Sequence, residues 1–129
     1  MKYIGSVKED LINEKRIAIT PETAKKFVDL NFNVILEKNY GEHLGISDKD
    51  YNGKGVELAD SPQEVFEKAE MLLSVSCPPN GQIDLIKNQS ILIGQFDQTL
   101  NKEEINKLIK KNIKIFSLNL LPRITRAQS

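Results

Sequence analysis

The sequence predicts an α/β fold: a doubly wound, mostly parallel sheet of five to six strands with helices on both faces. Three observations carry this. Short apolar runs alternate with segments of helical spacing along the whole chain. Several runs are apolar on consecutive residues, as in strands covered on both faces. The helical segments open on recognisable capping residues.

The strands are expected at Tyr3–Val7, Val34–Leu36, Val56–Leu58, Met71–Val75, Ser90–Ile93 and Ile113–Leu118. Between the first two, Ala24, Phe27 and Val28 recur at i, i+3 and i+4, the spacing of one helix face. Thr20-Pro21-Glu22-Thr23 starts that helix with a hydroxyl N-cap and a proline whose missing N–H is harmless at the first position. Asn31 supplies the following turn. Ser47-Asp48-Lys49-Asp50 begins a short helix that ends near Gly53, and Gly53 to Gly55 turn the chain into the third strand. Ser61-Pro62-Gln63-Glu64 repeats the Thr20 pattern and adds the glutamate of a capping box; Val65, Phe66 and Ala69 form its apolar face. Pro78-Pro79-Asn80-Gly81 is a breaker after the fourth strand. Asn101-Lys102-Glu103-Glu104 starts the last helix with acidic residues at the positive end of its dipole, and Ile105, Leu108 and Ile109 face the core.

The chain has 129 residues, expected as a single domain over 1–129 with no linker and no repeat. Eighteen Lys+Arg balance eighteen Asp+Glu, which removes the field of a nucleic-acid binder or a polybasic membrane-surface protein. One cysteine and one histidine leave too few ligands for a disulfide framework or a zinc cluster, so no metal site is expected. No apolar run approaches the roughly 20 residues of a membrane span. The N-terminus turns charged too early for a signal peptide, which places the chain in a reducing cytosol.

The glycines lie at 5, 41, 45, 53, 55, 81 and 94, and none forms the G-x-G-x-x-G of a dinucleotide-binding turn. The expected fold is therefore Rossmann-like or flavodoxin-like without the nucleotide fingerprint. Lys8, Glu9 and Arg16 lie in the loop after the first strand, at the carboxyl edge where open α/β sheets bind ligands. Arg16 is a candidate anion contact through its planar fork, or the partner of Glu9 or Glu14 in an ion pair. Cys77 has no basic neighbour to make it reactive, and His43 reads as a solvated loop residue. Lys107, Lys110, Lys111 and Lys114 read as the wet face and C-terminal end of a helix. Arg123-x-x-Arg126-x-Gln128 offers two cations and an amide in a stub after the last strand, suited to an anion or an amide-bearing ring.

Lys8-Glu9 followed by Glu14-Lys15-Arg16-Ile17-Ala18-Ile19-Thr20-Pro21-Glu22-Thr23 resembles the opening of the alanine dehydrogenase and proton-translocating transhydrogenase superfamily. Gly41-Glu42, Ser47-Asp48, Tyr51 and Gly55-Val56-Glu57 continue the likeness. Pro122-Arg123-Ile124-Thr125-Arg126-Ala127-Gln128-Ser129 is similar to the signature loop of the transhydrogenase alpha subunit. The resemblance covers essentially the whole chain. It implies the first of two α/β domains around a cleft that binds NAD(H), with the pyrophosphate held by a second, glycine-bearing domain. In the signature loop, Arg123 and Gln128 would be the catalytic contacts to the nicotinamide end and ribose. Ile124, Thr125 and Arg126 would line the same NAD-binding loop.

The implied activity is hydride transfer between NADH and NADP+ coupled to proton translocation, in a peripheral cytoplasmic component at the inner membrane. The implied partners are the remaining alpha-subunit domain, the membrane component, the NADP-binding component and a second copy in a homodimer. The chain reads as cut short inside its own loop, and alone it is expected to be catalytically silent and to bind NAD weakly or not at all.

Two other readings stay open. Alanine dehydrogenase-like chemistry would use an Arg matching Arg16, a Lys near the end of the fourth strand and a His after the next. Ser74 stands near the Lys position, and Ile93-Gly94-Gln95-Phe96-Asp97 contains no His. A non-enzymatic α/β binding module that uses the Arg16 loop is the other.

Overall fold

The computed structural model describes residues 2–9, 16–75, 80–94 and 102–117. Six strands form one sheet: β1 (Tyr3–Ser6), β2 (Asn33–Glu37), β3 (Glu57–Ala59), β4 (Met71–Ser74), β5 (Ile91–Gly94) and β6 (Lys114–Ser117). Their order is β3-β2-β1-β4-β5-β6, and every pairing is parallel. The order reverses between β1 and β4, which makes their carboxyl ends the topological switch point of the sheet.

Helices α1 (Pro21–Asp29), α2 (Asp48–Asn52), α3 (Pro62–Lys68), α4 (Asn80–Ile83) and α5 (Lys102–Lys110) connect the strands. The Thr20 side chain accepts the N–H of Thr23, as its N-cap role requires. At Ser61 the hydroxyl accepts the Glu64 N–H, but the Glu64 carboxylate takes the N–H of Asp60 instead of closing a reciprocal box. The reciprocal box is found at Ser47 and Asp50. The segment read as a breaker after the fourth strand turns into α4 at Asn80. Pro78 and Pro79 lie outside the described residues.

The core has two layers, one on each face of the sheet. Ile4, Val34 and Leu36 pack under α1 and α2, with Ala24 and Tyr51 fully buried above them. On the other face Ile35, Leu72 and Leu92 pack under α3, α4 and α5 through Val65, Phe66, Ile83 and Leu108. Burial of a side chain the size of Phe66 or Leu92 contributes about 1.5–3 kcal/mol each. Gly5 lets α3 approach β1: a Cβ there would stand 2.8 Å from both Ala69 Cβ and Val65 Cγ1. Ile109, expected in the core, is 61% exposed, because α5 turns only Leu108 fully inward. Lys107 instead pairs with Asp84, and Lys111 donates to the Asp84 carbonyl, so part of the basic stretch staples α5 to the end of α4. No described helix is long and apolar enough to cross a membrane.

Candidate functional site

The carboxyl ends of β4 and β5 open onto a cavity of about 220 Å³ lined by Leu73, Ser74, Ile93 and Gly94 and by Arg16 and Ile17 of the segment before α1, among others. Arg16 is exposed at this edge, so the structure places the sequence-predicted anion contact at the switch point. Glu9 reaches across from the loop after β1: its carboxylate accepts the N–H of Val75 at 2.8 Å and the Ser74 hydroxyl at 3.3 Å. The backbone N–H of the neighbouring Lys8 donates to Glu37 at 2.9 Å. The loop after β1 is thereby tied to strands on both sides of it.

Two buried tyrosines fix the segment just beyond Arg16. Ser6 Oγ donates its one proton to the Leu73 carbonyl at 2.6 Å, so the 2.8 Å contact between Ser6 and Tyr40 has Tyr40 as donor. The Tyr40 oxygen in turn accepts the N–H groups of Ala18 and Ile19 at 3.0 and 3.3 Å. Tyr51 donates to the Ile19 carbonyl at 2.8 Å and meets Tyr40 edge to face, ring centroids 5.8 Å apart. Burial pushes the Tyr40 phenol up to about 12, and burial raises Tyr51 further. Both stay protonated and act as structural hydrogen-bond groups near neutral pH.

Sequence reasoning missed these tyrosines as positioning residues. The signal available was composition: aromatic residues are 6% of the chain, and both lie in otherwise polar stretches. Such residues keep a place in the core only if the hydroxyl is satisfied. His43 lies exposed on the 3₁₀ turn Glu42–Leu44, as expected. Arg123, Ile124, Thr125, Arg126 and Gln128, and also Cys77, lie outside the described residues.

A phosphate-binding turn needs the helix after β1 to present free N–H groups to the pyrophosphate of a dinucleotide. Here Pro21 has no N–H, Thr20 takes the N–H of Thr23, and Glu22 adds negative charge to the first turn. The pyrophosphate does not fit that helix end. The cavity is also below the roughly 300–1,000 Å³ of a pocket that engulfs a drug-sized ligand. The switch point suits one end of a ligand whose remainder is held elsewhere. Among the described residues no group of His, Cys, Asp and Glu could hold a metal ion.

A family model described as alanine dehydrogenase/PNT, N-terminal domain, matches residues 5–129. The chain is 32% identical over 130 aligned positions to the first part of NAD(P) transhydrogenase subunit alpha of Rickettsia prowazekii, covering 98% of this chain and 34% of that one. It is 38% identical over 89 positions to alanine dehydrogenase of Methanococcus maripaludis, covering 69% and 24%. The crystal structure of transhydrogenase from Sinorhizobium meliloti superposes with a TM-score of 0.86 at 29% identity, covering 98% of this chain and 38% of that one. The chain thus spans about a third of the length of the Rickettsia relative.

Proposed function

We propose, since this chain belongs to the family of alanine dehydrogenase/PNT N-terminal domains, that it forms one wall of the NAD(H) site in the alpha subunit of a proton-translocating NAD(P) transhydrogenase. The observation that carries this reading is the capped amino end of α1, which denies the lobe a pyrophosphate seat at the place where a self-sufficient nucleotide domain has one. A second domain must then take the phosphates. This wall offers the Arg16 edge and, in the signature loop, Arg123 and Gln128 toward the nicotinamide end and ribose, with Ile124, Thr125 and Arg126 beside them. Bound NADH would supply the hydride; the chain's own residues would orient the ring.

The lack of both the Lys near Ser74 and the His within Ile93-Gly94-Gln95-Phe96-Asp97 favours this reading over amino-acid chemistry, although Ser74 departs from the transhydrogenase pattern as well. The side chain facing Glu9 at the end of β4 is a hydroxyl, which offers no acid–base group near neutral pH. The partners that follow are the remaining alpha-subunit domain, the membrane component, the NADP-binding component and a second copy of the chain. The assembly would be peripheral, on the cytoplasmic side.

The chain alone is expected to be silent. A fluorescence titration of the isolated chain with NADH should show no saturation in the micromolar range; micromolar affinity would overturn the reading. Replacing the matched segment of the Rickettsia subunit by this chain should give a protein that binds NADH. Arg123→Ala or Gln128→Ala should then weaken it by about tenfold each, the effect of roughly one hydrogen bond.

A further inference from the structure

The cavity at the carboxyl ends of β4 and β5 has two walls from distant parts of the chain. One is Arg16, Ile17 and Ala18, which lie outside the six strands; the other is Leu73, Ser74 and Val75. The paired register of β1 and β4 stops at Gly5 and Leu72, just before the cavity begins. Past that point a line of buried hydrogen bonds takes over.

The line runs from wall to wall. The N–H groups of Ala18 and Ile19 donate to Tyr40, Tyr40 donates to Ser6, and Ser6 donates to the Leu73 carbonyl. An N–H can only donate and a carbonyl can only accept, so the single proton on each hydroxyl has one arrangement. Ser6 and Tyr40 are each 1% exposed, which keeps competing water away. In such dry surroundings consecutive hydrogen bonds polarise and strengthen one another. Neither hydroxyl lines the cavity, so both act on it only through the walls they join.

We propose that Ser6 and Tyr40 are positioning residues for the nicotinamide end of the NAD(H) site: the line they form sets the distance between its two walls. The proposal rests on the functional reading of this edge as part of that site. Tyr40 stands just past the end of β2 and reaches the segment before α1, while Ser6 ends β1 and reaches β4. Tyr40→Phe keeps the edge-to-face packing on Tyr51 but cuts the line, and Ser6→Ala cuts it by removing a single oxygen. The two walls would then settle independently. A misplacement of about 1 Å is enough to cost a reacting group about a hundredfold.

The test uses the chimera in which this chain replaces the matched segment of the Rickettsia subunit. Its two probes are NADH and ADP-ribose, which has the same diphosphate and lacks the nicotinamide ring. Tyr40→Phe and Ser6→Ala should each weaken NADH by about tenfold, the effect of roughly one well-placed hydrogen bond, and leave ADP-ribose unchanged. The double variant should lose no more than the larger single change, because both cut the same line. Phe66→Leu thins the core on the other face of the sheet and is the stability control; it should leave the ratio of the two affinities unchanged. Equal weakening of both probes, losses that multiply in the double variant, or a ratio moved by Phe66→Leu would overturn the proposal.

A wild-type chimera that binds NADH no better than ADP-ribose removes the functional reading, and the proposal with it. A preference for NADH that survives both variants removes the positioning role alone. The chain by itself gives a second measurement. Amide residual dipolar couplings of residues 17–19 should fit the alignment of the sheet in the wild type and depart from it in both variants. Where the chimera does not fold, these couplings decide: departure supports the proposal, and couplings that stay with the sheet overturn it. If Tyr40→Phe does not fold, Ser6→Ala carries both measurements.

Discussion

The carboxylate of Glu9 accepts the amide N–H of Val75 at 2.8 Å. This joins the loop after β1 to the end of β4 across the switch point, between residues 66 positions apart in sequence. The same carboxylate takes the Ser74 hydroxyl. It occupies donors at the carboxyl end of β4 that an incoming anion would otherwise use.

Glu9→Ala should therefore destabilise the chain. It leaves the N–H of buried Val75 without its acceptor, a loss of about 1–3 kcal/mol. Urea denaturation checks the magnitude. Glu9→Gln keeps an acceptor oxygen and should recover about half of the loss; no difference between wild type and Glu9→Ala would refute the link.

Tyr40→Phe removes one donor and one acceptor from a buried junction, stranding the N–H groups of Ala18 and Ile19. The expected loss is about 2–3 kcal/mol, larger than the roughly 1 kcal/mol of an ordinary hydrogen bond because the stranded groups have no water. Hydrogen exchange at residues 18 and 19 should accelerate first. Unchanged protection there would show that Tyr40 does not hold the segment.

Alkaline pH should unfold the chain through the tyrosines. The Tyr40 pKa rises from 10.0 unfolded to about 12 folded. The unfolded state therefore loses its proton first. The stabilisation is fully present below pH 10 and disappears as pH rises from 10 to about 12, amounting to about 3 kcal/mol for two pKa units. Tyr51 shifts in the same direction and extends the effect. Phenolate absorbance at 295 nm should rise for these two tyrosines together with loss of circular dichroism. Ionisation of all three tyrosines in a chain that remains folded would contradict the buried geometry.

Gly5→Ala should cost about 1–3 kcal/mol by overpacking. The new methyl would meet Ala69 and Val65 at 2.8 Å, and these belong to the helix packed over β1 and its cap. Combining it with Val65→Ala should recover part of the loss; additivity of the two changes in denaturation would argue against the contact.

Strand and helix identity were legible because each rests on local signals. Thr20-Pro21 and Ser61-Pro62 announce helix starts wherever they occur, since an orphan N–H needs a nearby acceptor. Consecutive apolar residues such as Val34-Ile35-Leu36 can be satisfied only by cover on both faces. Local signals left some choices open: the Glu64 carboxylate took the N–H of Asp60, four residues back, and Ile109, at the margin of its helix's apolar face, turned to water.

By itself the amino-acid sequence determined the alternation of elements, the missing glycine fingerprint and the place of Arg16 on a loop at the ligand edge. Only the tertiary structure decided that Tyr40 and Tyr51 hold that loop and that Glu9 spans to Val75. The physical reason is range. Capping and periodicity act within a few residues, whereas the pairing of a buried donor with its acceptor depends on which strands the sheet makes neighbours.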